Sequence, residues 1–381
     1  MYRKLLIAGA FASLLVLPEL AAAGLTLRQT VMSELRYDTN AMITPDGEQD
    51  SSDIVLQLGP DFEVTRDSEK LTLMAVYRPS FYYYFRRPEL NTLSHSASAS
   101  MDYKYSVSTS FRVEDTLNYA KESLETTIIG IQNRRQAILM NTAIFSMSHR
   151  LTPRMGSGLS FSDNIVEFED PIAVDSRNDA ASISLNYQVV PDTQIFTSYS
   201  FSRTEFDSPG DTIDPPMETQ SVQAGFSTHY KNNLHFTLSG GVGHGSANDQ
   251  NFVTASTELS KDFENSSASI SYNRQATTAT GLTNQLALNE TYYAAWNYAL
   301  TRNISANLFG SYARNQTLND NSVDVRSLYY GLSGEWQLYS WLSFGAGYNH
   351  FKQNSEGLTG DDLKRDHFFV NVRITTYEKR L

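Results

Sequence analysis

The sequence has no cysteine among its 381 residues. No disulfide can staple its loops, no lipid can be attached through a cysteine thioether, and neither a CxxCH haem motif nor a thiolate metal centre is available. Beyond residue 24 no apolar run approaches the roughly eighteen residues that a membrane-crossing helix needs. A membrane-spanning reading therefore requires a closed sheet, the other architecture that satisfies its own backbone. Basic residues are also in short supply: 30 Lys and Arg stand against 42 Asp and Glu, a net charge of −12. Such acidity disfavours nucleic acid, whose phosphates call for a surplus of cations. Phosphate-cradling glycine loops and basic patches studded with aromatics are lacking too.

What the chain does have begins with an address. Arg3 and Lys4 precede an apolar core from Leu5 to Leu17, then Pro18 and Ala21-Ala22-Ala23. This layout predicts a secretory signal over residues 1–23, with cleavage before Gly24. Losing Arg3, Lys4 and Glu19 leaves residues 24–381 one unit more negative than the whole chain. The mean hydropathy of −0.37 looks soluble, yet it suits a barrel in which half of each strand faces water. Twenty-two tyrosines, twenty phenylalanines and three tryptophans would be generous for a disordered acidic chain, whereas aromatic girdles at two membrane interfaces would use them.

The clearest pattern is Ser221 to Gly243. Val222, Ala224, Phe226 and Tyr230, then Leu234, Phe236, Leu238 and Val242, are mostly apolar, and the residues between them are polar or small. Period two is the strand signature. Folding at Lys231-Asn232-Asn233 sets Tyr230 against Leu234, Phe226 against Leu238 and Val222 against Val242, with Ser227 opposite Thr237. These runs are about twice the usual soluble strand, a length that fits a tilted membrane strand. The same device recurs along the chain: Leu27 to Asp38, then Asp53 to Arg66, which the DSEK turn joins to Leu71 to Tyr84 with Arg66 set opposite Leu71. Later segments include Arg134 to Arg150, Phe252 to Lys261 and the closing Asp366 to Tyr377. The total is about eighteen. The expected fold is all-β: a transmembrane antiparallel up-and-down barrel with short periplasmic turns and longer extracellular loops, both mature termini in the periplasm of a Gram-negative cell. Thr39 to Ser52, Ala120 to Asn133, Asp207 to Met217 and Gln353 to Arg365 are the longer loops and are expected to face outward.

The phases assign Asp61, Glu63, Arg78, Arg112, Glu114, His229, His235, Asn307, Glu335, Asn349 and Arg373 to the lumenal side. Asp115 and Glu290 fall in the lipid-facing phase, where charge is costly. His229 and His235 are cross-strand partners, but two imidazoles without a third ligand are ordinary wall residues, and no metal or cofactor is expected. No serine, histidine and acid combine on adjacent strands as hydrolysis requires, so no catalytic residue is assigned. Asp46, Glu48 and Asp50, with Asp207, Asp211, Asp214 and Glu218, form acidic loops that calcium would bridge to lipopolysaccharide; their spacing matches no defined calcium loop, and solvated acidic loops are the simpler reading.

At the two ends of the barrel region Tyr37-Asp38-Thr39-Asn40, Ser52-Asp53-Ile54, Leu58-Gly59-Pro60-Asp61-Phe62 and Arg365-Asp366-His367-Phe368 resemble the β-barrel porin-like family associated with exopolysaccharide biosynthesis and export. The resemblance implies an outer-membrane barrel working beside a periplasmic polysaccharide export protein and an inner-membrane synthesis complex; a barrel of this kind is in any case expected to sit in outer-membrane lipid and lipopolysaccharide and to be inserted by the barrel-assembly machinery. Such barrels commonly end in an aromatic residue, whereas this chain ends Tyr377-Glu378-Lys379-Arg380-Leu381, which leaves Tyr377 to serve as the assembly signal. Two other functions fit the same architecture: a general diffusion porin, which predicts a loop folded into the lumen, and a sheath around a multihaem cytochrome.

Overall fold

The computed structural model describes residues 24–45, 51–121, 135–169, 173–207, 215–230, 233–246, 249–278, 285–318, 323–357 and 362–380. The leader expected over residues 1–23 and the acidic residues Asp46, Glu48, Asp50, Asp211 and Asp214 lie outside the described residues. Alternation of side chains yields β1 (Leu25–Asp38), β2 (Asp53–Asp67), β3 (Leu71–Tyr84), β4 (Thr92–Lys104), β5 (Thr109–Ala120), β6 (Ile138–Thr152), β7 (Met155–Phe168), β8 (Asp175–Val190) and β9 (Thr193–Asp207). The second half supplies β10 (Met217–Tyr230), β11 (Leu234–Gly245), β12 (Gln250–Asp262), β13 (Ser266–Thr278), β14 (Leu286–Ala299), β15 (Ile304–Thr317), β16 (Val323–Tyr339), β17 (Leu342–Gly357) and β18 (Leu363–Arg380). Each strand pairs antiparallel with its sequence neighbours, and β1 pairs with β18, so the 18-stranded sheet closes on itself. Closure leaves no full-length sheet edge to template aggregation, which a chain of such long strands would otherwise expose. Among the described residues no helix is long and apolar enough to cross a membrane.

The hairpin of β10 and β11 has the anticipated register, with Val222 opposite Val242, Phe226 opposite Leu238 and His229 opposite His235. Between β2 and β3 the register differs by two residues: Arg66 faces Leu73, and Phe62 faces Tyr77. The cause is Ser68. Its backbone N–H donates to the Leu71 carbonyl at 3.0 Å, while its hydroxyl donates to that carbonyl and accepts from the Leu71 N–H. Pairing thus extends into what reads as turn, and only Glu69 and Lys70 remain to reverse the chain. A shift of two keeps the side-chain phase, so the faces are unchanged.

Through the middle of the sheet one phase is mostly apolar and solvent-accessible: Ile183, Val222, Val242, Ile270, Leu308, Leu332 and Val370 all belong to it. We take it as the outward face. Aromatics border this belt at both ends. Toward the short turns stand Trp296 and Tyr298, Trp336 and Phe344, and the stacked pair Tyr339 and Trp341. Toward the long loops, Tyr272, Tyr292 and Tyr312 form one row, continued by Tyr330, Tyr348 and Phe368. Beyond this second row the outward face becomes charged, and oppositely: Arg274 lies 3.2 Å from Glu290, Arg314 2.8 Å from Asp324, and Arg326 bridges Asp324 and Glu356. Glu290, anomalous in the sequence, is a member of this collar. Asp115 is mid-strand and is satisfied instead by the Asn141 side-chain amide, which donates to it at 2.8 Å.

One ladder is shorter than the rest. β12 and β13 pair from Asp262 and Ser267 only as far as Ala255 and Arg274. Past that rung Gln250–Thr254 pair with β11 alone and residues 275–278 with β14 alone.

Candidate functional site

The residues of the first long loop that are described do not project away from the barrel. Ala41 packs in a buried cluster with Val55 and Tyr84, and Ile43 in another with Phe351 and Leu363. Val55, Tyr84, Phe351 and Leu363 occupy the polar, inward phase of β2, β3, β17 and β18. The loop therefore turns inward and lies on the inner wall, contrary to the outward course expected for Thr39 to Ser52. Two apolar side chains and a backbone reversal explain it. Ile43 adopts φ 56°, a left-handed conformation that a β-branched residue enters only when its surroundings repay the strain; here its side chain is 2% exposed.

Polar contacts hold the same segment. The Asn40 side-chain oxygen Oδ1 accepts from the Thr44 N–H at 3.0 Å and from the Ser51 hydroxyl at 2.6 Å, while its Nδ2 donates to the carbonyls of Thr44 and Lys364. The Asn40 N–H donates to Asp38 Oδ1 at 2.9 Å. Asp38, at the end of β1, receives a bidentate pair of bonds from Arg365 of β18, the Nη2 donor at 2.5 Å, and His367 Nε2 lies 3.2 Å from the same carboxylate. Thr39 and Asp366 exchange hydrogen bonds alongside. On the other flank, Asp53 accepts from the Arg86 N–H, and Arg86 and Arg87 reach Ser52. Arg135 donates to the Ala41 carbonyl, the Tyr84 hydroxyl and the Leu90 carbonyl, with its guanidinium 4.6 Å from the Tyr84 ring centre. The strand expected from Arg134 begins only at Ile138, because Arg135 is spent on this clamp.

Most of the short motifs that carried the family resemblance thus meet at one place, the β18–β1–β2 seam, where they hold the loop. Sequence reasoning used them as a resemblance and missed the contact. The available signal was that Asp38 and His367 are direct partners once the first and last strands pair.

Below the clamp is an inner-wall cavity of about 420 Å³ lined by Glu34, Arg36, Gln57, Arg78, Tyr82, Asn118, His367 and Phe369. The inward arginines stand against carboxylates: Arg28 lies 2.9 Å from Glu63, Arg78 2.7 Å from Asp61, Arg112 beside both Glu114 and Asp102, and Arg373 3.8 Å from Glu335. Paired in this way, opposite charges stand side by side along a polar wall. Asn307 donates to Asn297 at 2.6 Å on the same face, and Asn349 lines the cavity. Across β6 to β12 the inward face is dominated by hydroxyls that bond from strand to strand, as in Ser200 with Ser221, Ser202 with Thr219 and Ser239 with Ser256, each at 2.7 Å. His229 and His235 sit in this half with ring centres 4.2 Å apart and Nδ1 atoms 3.3 Å apart. Among the described residues no group of three metal-ligating side chains converges. The sequence-assigned residues therefore share a face without gathering at one point: Arg78 belongs to the cavity, Arg112 and Glu114 to a neighbouring ion cluster, and Asn307, Glu335 and Arg373 to the strands that complete the charged half.

The chain matches no protein-family model and no curated protein sequence. Solved structures do resemble it. The siderophore receptor PirA from Pseudomonas aeruginosa is 9% identical over 93% of this chain and 81% of its own, with a TM-score of 0.51. OccK2 (OpdF) from the same organism is 7% identical over 92% of this chain and 98% of its own, with a TM-score of 0.50. At such identities the likeness is one of fold: a closed antiparallel β-barrel.

Proposed function

We propose that this protein is an outer-membrane channel for small hydrophilic solutes. The observation that carries the reading is the inward course of Asn40–Thr44, clamped on the inner wall by Asn40, Arg135 and the Asp38–Arg365 pair. A segment so held narrows an interior that eighteen strands would otherwise leave wide, and it does so at one end only. The apolar belt between two aromatic rows supports insertion in a bilayer, and the closed antiparallel barrel, a fold shared with the siderophore receptor PirA and with OccK2, is the form in which strands cross an outer membrane. In this reading the short turns face the periplasm, as do both termini, and the charged collar meets lipopolysaccharide. The barrel-assembly machinery would insert the chain.

Export of exopolysaccharide with a periplasmic partner is the weaker reading, since a polymer would have to displace a segment fastened by buried ionic contacts. Liposome swelling with uncharged sugars of increasing size tests the proposal. Swelling that falls off steeply from mono- to trisaccharides is expected. No swelling with any sugar, from vesicles that hold folded barrel, would reject it.

A further inference from the structure

The short ladder between β12 and β13 marks a second site. In a continuous sheet β11 and β14 would stand about 14 Å apart, three spacings of roughly 4.8 Å. Yet a Cβ placed on Gly245 of β11 would lie 2.7 Å from Leu286 Cδ2 of β14. Leu286 and Leu288 form one buried cluster with Met217 of β10 and Phe252 of β12. By phase Leu286 and Leu288 belong to the outward face of β14, whereas Met217 and Phe252 belong to the inward face of their strands. The upper end of the β13–β14 hairpin has therefore slid behind the β10–β12 wall, outer face against inner face. This leaves a notch in the outer wall and a plug of apolar side chains between notch and interior.

The notch holds a cavity of about 580 Å³, lined by outward Val222, Val242 and Val253, by Phe252, and by Arg274 at the last rung. Two polar atoms at the break have no hydrogen-bond partner among the described residues: Thr254 Oγ1, in a residue 3% exposed, and Arg274 Nε. Arg274 is the first outward residue beyond Tyr272, so the notch opens where the apolar belt gives way to the charged collar. A bare sheet edge is unfavourable unless something satisfies or covers its backbone groups. Apolar walls continuous with the belt, topped by the Arg274 guanidinium, which lies 3.2 Å from Glu290 at Nη1 and remains 36% exposed, complement a hydrocarbon chain ending in an anion.

We infer that the β12–β13 notch is a lateral binding site for a long-chain carboxylate, with the chain along Val222, Val242 and Val253 and the carboxylate on Arg274. The inference rests on the membrane placement proposed above. Opening of the Met217–Phe252–Leu286–Leu288 plug would join this site to the interior.

The test uses the full barrel in phosphatidylcholine vesicles and the electron paramagnetic resonance spectrum of spin-labelled stearate. The wild type is expected to give a motionally restricted component beyond that of spin-labelled phosphatidylcholine. Arg274→Gln, which removes the charge, and Val242→Trp, which fills the cavity, should each weaken it by about tenfold or more, the worth of one charge-assisted contact. Both variants should keep wild-type sugar swelling, which reports the interior and stands or falls separately. A restricted component that is absent, that survives both substitutions, or that the phospholipid label shows equally would overturn the assignment. Should Val242→Trp fail to fold, Arg274→Gln alone decides.

Discussion

Asp38 and Arg365 stand 327 positions apart in the sequence and form a bidentate ion pair at the seam between the first and last strands. They are 1% and 3% exposed. Removing one partner of such a pair strands a buried charge, which typically costs about 3–5 kcal/mol. Arg365→Met should therefore destabilise the barrel by that order, with His367 offsetting part of the loss. Asp38→Asn with Arg365→Met should recover much of it. Urea unfolding in reconstituted vesicles, followed by tryptophan fluorescence, measures both; equal midpoints for wild type and Arg365→Met would contradict the buried pair.

Asn40 governs the inward loop more directly. Its side chain makes bonds to Thr44, Ser51 and Lys364, each worth about 0.5–1.5 kcal/mol net. Asn40→Ala should release the segment while leaving the strands paired. Single-channel recordings should then show larger and noisier conductance, with the unfolding midpoint little changed.

Ile43 separates backbone strain from burial. Both Ile43→Ala and Ile43→Gly lose the side chain, but only glycine relaxes at positive φ, an advantage of about 1–2 kcal/mol. Ile43→Gly should accordingly be the more stable of the two by about that much in loop-specific hydrogen exchange. The opposite order would mean that the segment takes another conformation.

Selectivity follows from the paired wall. Arg112 faces Glu114 and Asp102, so Arg112→Ala leaves two carboxylates without their shared cation. The permeability ratio of cation to anion, read from the reversal potential in a salt gradient, should rise severalfold at low salt. The effect should shrink near 1 M, where the screening length falls to about 3 Å. Arg78→Ala, which exposes only Asp61, should act in the same direction and more weakly.

The two faces can be tested against each other at adjacent positions. Ile270 is outward and mid-belt, and Ser269 is inward. Lysine at 270 should cost about 2–4 kcal/mol in lipid and depress refolding yield on a heat-modifiability gel, whereas lysine at 269 should be tolerated.

Strand phase was legible because period two is a local property: Val222 through Val242 assign their faces without help from any distant residue. The lumenal set from Arg78 to Arg373 was read by the same rule. Register at β2–β3 was less legible, since one hydroxyl, that of Ser68, moves the reversal without altering composition. The loop clamp was not legible at all from local pattern. Asn40 looks like an ordinary turn residue until Lys364 is brought beside it, and Arg135 looks like a strand start until Tyr84 and Leu90 surround it. The β13–β14 overlap was hidden for a related reason: Leu286 and Leu288 continue the outward alternation faithfully, and only the bending of the hairpin changes what that face touches.

The seam imposes an order of events on assembly. Arg365 follows Asp38 by 327 positions, so the part of the clamp that it and Lys364 supply forms only when β18 pairs with β1, whereas the contacts of Ala41 with Val55, Tyr84 and Arg135 need no residue beyond 135. Chains that lack β18 would consequently keep the Ala41 contacts and lose the Arg365 and Lys364 fastening, and acquisition of the fully clamped state can serve as a clock for closure of the seam.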